Sequence, residues 1–307
     1  MPSWAFFLQC FLNTRGLRPT ASREDFYEDD TLEEARAEFA GAVGRYLADL
    51  ARDNPERLRR LVEVHVQAIK SMAVWEDGLF RLFIDYLPFE TSEGTLTGRG
   101  LKRAGEASWV ASVPRFQQLK PVFLAQGRLL ICTGYVYDQE LIAKMARHFS
   151  LPFAPLGEEK MDLVLEEPSL EDRQRAFDFL REVNRVLAPL DCQGEVRRFL
   201  PADLPALYAI SEDNRFLRQV EAAQEVGSFF SEALGSMLSG RGEEPLATLY
   251  LNLNNRLVGR LMGAGDRGRL ESAVELLYVQ ALLAGGHPLR GGELKLMNRA
   301  IMALVEE

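Results

Sequence analysis

The order of hydrophobic periods along the chain predicts a mixed α+β and α/β architecture. Apolar residues recur at helical spacing from 31 to 87, helical and strand-like runs alternate from 95 to 165, and three strand-like runs mix with long helices from 170 to 305. This order predicts a helical connector and a small α/β layer, followed by an α+β C-terminal region ending in a helix pair. A length of 307 residues exceeds what one hydrophobic core usually fills, so more than one domain is expected.

Trp4 to Leu12 reads as one buried strand, and a lone strand needs partners in a larger sheet. From Thr31 a capping pair with Glu34 opens a helix bearing Leu32, Ala35, Phe39, Val43, Leu47 and Leu50, which Asp53-Asn54-Pro55 ends. Pro55 suits the first turn of a second helix, with Leu58, Leu61, Val62, His65, Ile69 and Met72 on its apolar face. His65 reads as a packed core histidine, because no second His, Cys or paired carboxylate stands at metal-ligand spacing. A third helix from Trp75 to Leu87 stops at Pro88. Next come a helix from Thr95 to Ala104, a strand from Trp109 to Val113 and a helix from Pro114 to Gln126. A strand from Arg128 to Cys132, a helix from Asp138 to Phe149 and a strand from Met161 to Leu165 follow. Such alternation predicts a small, mostly parallel layer.

Glu166-Glu167-Pro168-Ser169 is polar and carries a proline, which marks a boundary. Beyond it a helix from Leu170 to Leu187 places Phe177, Leu180, Val183 and Leu187 in register. Strand candidates are Glu195 to Leu200, Ala206 to Ile210 and Leu246 to Leu253, with a helical region from Asp213 to Leu238 between the last two. The two terminal helices, Leu270 to Leu283 and Glu293 to Val305, are apolar on more than one face and so require cover on more than one side. Two covers satisfy the pattern: the helices' own domain, or the same hairpin of a second molecule in an isologous four-helix contact.

A formal net charge of −9 argues against nucleic acid or an anionic membrane as partner. Arg256, Arg260, Arg267 and Arg269 gather beside acidic neighbours and read as a solvated face. Cys10, Cys132 and Cys192 are too far apart for a disulfide framework or a Cys-x-x-Cys metal site, which fits a reducing cytoplasm. No run of 18 or more apolar residues occurs, and the N-terminus lacks the pattern of a signal peptide. Gly263-Ala264-Gly265-Asp266-Arg267-Gly268 lacks the Gly-Lys-Ser/Thr ending of a phosphate loop and reads as a turn. Cys132 with His148 has no orienting third group, so a buried structural cysteine is the expected role.

Four runs carry a family resemblance. The strand-like run from Trp4 leads into Asn13-Thr14-Arg15-Gly16-Leu17-Arg18-Pro19-Thr20-Ala21-Ser22-Arg23-Glu24. Pro88-Phe89-Glu90-Thr91, the run Ile131 to Asp138 and the run Leu249 to Asn255 follow in family order. Together they resemble the heat-shock protein 90 chaperone family of the bacterial HtpG type, whose middle segment carries a strand, then Leu-Pro-Leu-Asn-x-Ser-Arg-Glu, then a long helix. Thr20 departs from the family's usual asparagine, and Tyr27 stands where a glutamine often helps to position nucleotide. Leu141 lies on the helix where the family often has a tryptophan, which weakens a client role for that helix.

The resemblance implies that residues 1–27 end the large middle α/β subdomain with its catalytic loop. Residues 28–165 would form the connecting helices and small α/β subdomain, and residues 166–307 the C-terminal dimerisation domain. It implies an ATP-dependent chaperone of the stress response that forms a homodimer and binds unfolded client proteins. Arg23 would contact the γ-phosphate of ATP held by a separate N-terminal domain. Phe216, Phe229, Phe230, Leu234 and Met237 are the client-binding candidates. Val274, Leu277, Ala281, Met297, Ile301 and Leu304 are the dimer-interface candidates. ATP and Mg belong to the full-length family; the Asp-x-Gly-x-Gly and glycine-lid segments of its nucleotide pocket are not found in these 307 residues, so the chain alone is expected to bind no cofactor, no metal and no ATP. The alternative reading is a stand-alone dimeric protein-interaction module without ATPase activity. A small-molecule enzyme would need convergent polar groups, and no such set is visible.

Overall fold

The structure, a computed structural model, describes residues 16–22, 25–157, 161, 163–210 and 245–305. These residues form an α+β fold with two mixed sheets. The chain divides into two compact units, residues 1–111 with 131–154, and residues 112–130 with 155–307.

The first unit opens with helix α1 (Asp30–Asp53) and helix α2 (Pro55–Trp75). One asparagine separates them. The backbone N–H of Asn54 donates to the Leu50 carbonyl and its side chain accepts from the Arg57 N–H, so the residue closes α1 and caps α2, with Pro55 in the first turn. The cap of α1 is Asp29, whose carboxylate accepts the Leu32 N–H at 2.9 Å, and not the expected Thr31 pair. At His65 the backbone leaves helical geometry (φ −118°, ψ 27°), and the half-buried ring lies at this kink. Helix α3 (Asp77–Phe83) is shorter than the predicted 75–87 helix, because Glu76 separates it from α2.

The 95–104 region corrects the expected helix. Pro88–Thr91 (β1) and Gly94–Thr97 (β2) pair as an antiparallel hairpin, closed by Thr91, whose hydroxyl donates to the Gly94 carbonyl at 2.6 Å. Only then does helix α4 (Gly98–Ala104) begin, capped by Thr97. Gly98 is required there, since a Cβ would lie 2.0 Å from the Ile84 carbonyl oxygen. Strands β3 (Ala107–Val110), β4 (Leu129–Cys132) and β5 (Phe153–Pro155) complete a sheet ordered β2-β1-β4-β3-β5. β1 runs antiparallel to both its neighbours, so the layer is mixed and not mostly parallel. Helix α5 (Val113–Ala125) precedes β4. Helix α6 (Asp138–Phe149) has the predicted bounds and buries Leu141, Ile142 and Met145. A buried Lys70–Asp138 ion pair at 2.6 Å ties α6 to α2. Burial pushes the Asp138 carboxyl upward while Lys70 pulls it back.

In the second unit, residues 163–165 form a turn where a strand was expected, and Glu166 makes an isolated bridge with Arg198. Helix α7 (Leu170–Leu187) buries Ala176, Phe179, Val183 and Leu187, a stripe that leaves Phe177 67% exposed instead of in register. That stripe covers one face of a sheet ordered β6-β8-β7, made of Cys192–Arg197 (β6), Ala206–Ile210 (β7) and Ala247–Asn252 (β8). β8 is central, parallel to β6 and antiparallel to β7. A Cβ on Gly194 would come within 2.5 Å of Val183 Cγ1, so β6 lies hard against α7. Asn252 is fully buried; its amide donates to the Phe199, Pro201 and Leu204 carbonyls, and its oxygen accepts from the Phe199 and Asn254 N–H groups. One side chain thereby satisfies a loop that has no ladder of its own. Asp172 in the first turn of α7 accepts from Arg198, Ser169 and Arg175, which hold its carboxyl down at about 2. Helices α8 (Arg256–Met262), α9 (Arg267–Ala284) and α10 (Gly291–Val305) close the unit.

Candidate functional site

Arg23 and Glu24 lie outside the described residues, but the chain on either side of them is fixed. Pro19 bridges Phe26, the Thr20 N–H donates to the Asp25 carbonyl at 2.8 Å, and the Tyr27 N–H donates to the Arg18 carbonyl at 2.9 Å. The Thr20 hydroxyl also donates to the Asp25 carbonyl and lies 3.1 Å from the Ser22 hydroxyl. Residues 18–20 and 25–27 thus form a tight, largely solvent-exposed pairing on either side of position 23. Thr20, the departure from the family pattern, is the residue that closes it.

The terminal helix pair is built around α9. Asp266 caps it by accepting from the Gly268 and Arg269 N–H groups; of the run expected as a turn, residues 263–266 are non-helical, while Arg267 and Gly268 already open α9. Leu270, Val274, Leu277, Tyr278, Ala281 and Leu282 are buried around much of its circumference. All of these side chains belong to the core of the second unit, shared with α7 and the three-stranded sheet. The cover that the sequence demanded is therefore supplied for α9 within its own unit. Val274, Leu277 and Ala281 are core residues.

Helix α10 behaves differently. Glu293 and Ala300 are buried, whereas Leu294, Ile301 and Met302 are 48%, 43% and 53% exposed. Met297 is half-buried, and the side chain of Leu304 lies outside the described residues. Glu293 fixes the start of this helix: one carboxylate oxygen accepts the Arg290 N–H and the other the Tyr278 hydroxyl, each at 2.8 Å. The first is the Glu half of a capping box, made here without the Ser or Thr that usually stands at the cap position, which Arg290 occupies. Glu275, buried on α9, pairs with the exposed Arg299 of α10; burial raises its carboxyl and Arg299 opposes the rise. Tyr208, Tyr278 and His287 stack edge to face, at 5.9 Å and 5.0 Å from Tyr208. No local spacing joins Glu275 to Arg299 or His287 to Tyr208, so these contacts had no signal in the sequence.

The client-binding candidates Phe216, Phe229, Phe230, Leu234 and Met237 lie outside the described residues, as does Cys10. Cys132 and Cys192 are buried free thiols, and desolvation pushes Cys132 upward. His148 packs edge-on against Phe80 and Phe149. Among the described residues no group of His, Cys, Asp and Glu is placed to hold a metal, and no helix is long and apolar enough to cross a membrane. The arginines at 256, 260, 267 and 269 are solvent-exposed, Arg269 beside Asp266 and Arg267 beside Glu182. No family model matches the chain, and a search of curated proteins finds no match.

Proposed function

We propose that this chain is the middle and C-terminal part of an ATP-dependent molecular chaperone of the heat-shock protein 90 type, which dimerises and binds partly folded client proteins in the cytoplasm. The observation that supports the reading best is α10. Its outer stripe of Leu294, Ile301 and Met302 is about half exposed, whereas most of the apolar side chains of α9 are buried in the core of their own unit. A second copy of the same helix is the simplest cover, because an isologous contact places like stripes face to face. The pairing on either side of position 23 supports the second element. Residues 20 and 25 are joined by a backbone hydrogen bond on either side of position 23, and a planar, permanently charged guanidinium at that position would suit a γ-phosphate held in a separate nucleotide-binding domain.

The test joins the chain to such a domain and measures steady-state ATP turnover beside nucleotide affinity. Arg23→Ala should cut kcat strongly, on the order of 10³ for an arginine that acts only on the transition state, while affinity and melting temperature hold. Arg23→Lys should rescue only in part, since ammonium lacks the guanidinium fork. Wild-type turnover in the alanine variant would remove Arg23 from the mechanism and favour the second reading, a dimeric interaction module without ATPase activity.

A further inference from the structure

We propose that the groove between α1 and α2 is a docking site for an amphipathic helix of a partner protein, apolar on its inner stripe and acidic along one edge. The groove encloses about 590 Å³ and is lined by Val43, Tyr46, Leu47, Leu50, Leu61 and Val64, with Arg57 and Arg60 beside them. It lies wholly within the first unit and does not involve the loop around residue 23 or the terminal helices.

Three observations select a helix as the occupant. The α1 wall runs from Ala42 to Leu50, which at 1.5 Å per residue is about 12 Å, the span of two helical turns and of anchors at i, i+4 and i+7. The groove is open along its length, for Tyr46 and Val64 stand 54% and 74% exposed at its lips. An open trough suits a helix that covers it from above; a small ligand would stay largely wet. The charge at the rim is the third. Arg36, Arg52 and Arg59 on the same two helices each pair with a neighbouring carboxylate, whereas Arg57 and Arg60 have no carboxylate partner among the described residues. Two uncompensated guanidiniums one turn apart, in a chain of net charge −9, form a local cationic edge that an acidic flank would complement.

The probe is a fluorescein-labelled sixteen-residue peptide with leucines at i, i+4 and i+7 and glutamates on one flank, titrated against the full chain by fluorescence anisotropy. Saturable micromolar binding that weakens with salt is expected. Val64→Glu, at a site that is already exposed and so leaves the fold intact, should weaken it at least tenfold. Arg57→Glu with Arg60→Glu should reverse the preference toward a peptide with lysines in place of the glutamates. Equal affinity for a scrambled peptide, or unchanged binding by either variant with its melting temperature preserved, would overturn the proposal. Binding of laurate in place of the peptide would overturn it too, by assigning the groove to an acyl chain.

Discussion

Replacing Ile301 with aspartate tests the proposed dimer through the exposed apolar stripe of α10. Full burial of a Leu, Ile or Met side chain is worth about 1.5–3 kcal/mol, so the still-exposed half of one such residue is worth about 1 kcal/mol. Leu294, Ile301 and Met302, each close to half exposed, therefore offer roughly 6 kcal/mol when three side chains from each of two protomers are buried. Association costs an estimated 4–15 kcal/mol in lost freedom, so the stripe alone cannot hold a micromolar dimer and the rest of the outer face of α10 must add to the proposed contact, which leaves it sensitive to one substitution. An aspartate in that contact loses the apolar gain and adds an unpaired charge, a combined loss of about 4 kcal/mol that corresponds to about 10³ in Kd. Sedimentation velocity across the micromolar range reads this directly. Ile301→Asp should sediment as a folded monomer with an unchanged melting temperature. Leu277→Asp, by contrast, should unfold the second unit, because Leu277 is buried in that unit's core. A wild-type chain that is monomeric at tens of micromolar, or an Ile301→Asp variant that dimerises as tightly as wild type, would refute the argument.

Other outcomes follow from buried polar groups. Lys70→Met should destabilise the first unit by about 3–5 kcal/mol by leaving Asp138 charged and unpaired, and Lys70→Met with Asp138→Leu should recover much of the loss in denaturant melts. Asn252→Ala should cost the second unit about 1–3 kcal/mol or more, since it strands carbonyls of the 199–204 loop; unchanged chemical denaturation would mean that water replaces the amide. Asp172 titrates at about 2 when folded, below the ordinary value of about 3.9, so its stabilisation is present above the latter and is lost as pH falls toward the former. The melting-temperature gap between wild type and Asp172→Asn should accordingly be constant near neutrality and close between about pH 5 and pH 2; a gap independent of pH would remove Asp172 from the acid response.

Where local chemistry decides an element, the sequence was readable. Helix α6 and strand β7 have the predicted bounds, and Asn54-Pro55 marks the break between α1 and α2 because the cap and the proline act within one turn. Errors arose where tertiary contacts compete with pattern. Thr95 to Ala104 carries helix formers at its C-terminal end, yet Thr95 and Leu96 are taken into the β1–β2 hairpin, whose turn Gly94 permits with φ +101°. Val164 and Leu165 are adjacent and both buried, a placement that an alternating half-buried strand cannot give and a turn can. Phe177 lost its place because Ala176 and Phe179 set the stripe one residue away. For the candidate site, the all-round apolar character of α9 correctly demanded cover on several sides. Pattern alone does not say whose surface supplies it.

The polar contacts of the terminal helices explain why an apolar stripe ends up outside at all. Helix α10 carries leucine, methionine and isoleucine at positions that a free helix would roll inward. Glu293 and Arg299 are six residues apart, about 9 Å along the axis, and each is tied to a buried group on α9, Tyr278 and Glu275. Two such ties fix rotation as well as position. With Glu293 and Ala300 held inward seven residues apart, Leu294 and Ile301 are turned about 100° away and must face out. Burying Glu275 costs desolvation that an apolar residue would not, and its return is register and not stability. These two ties thus account for three apolar side chains facing outward on α10, the stripe on which the proposed dimer contact rests.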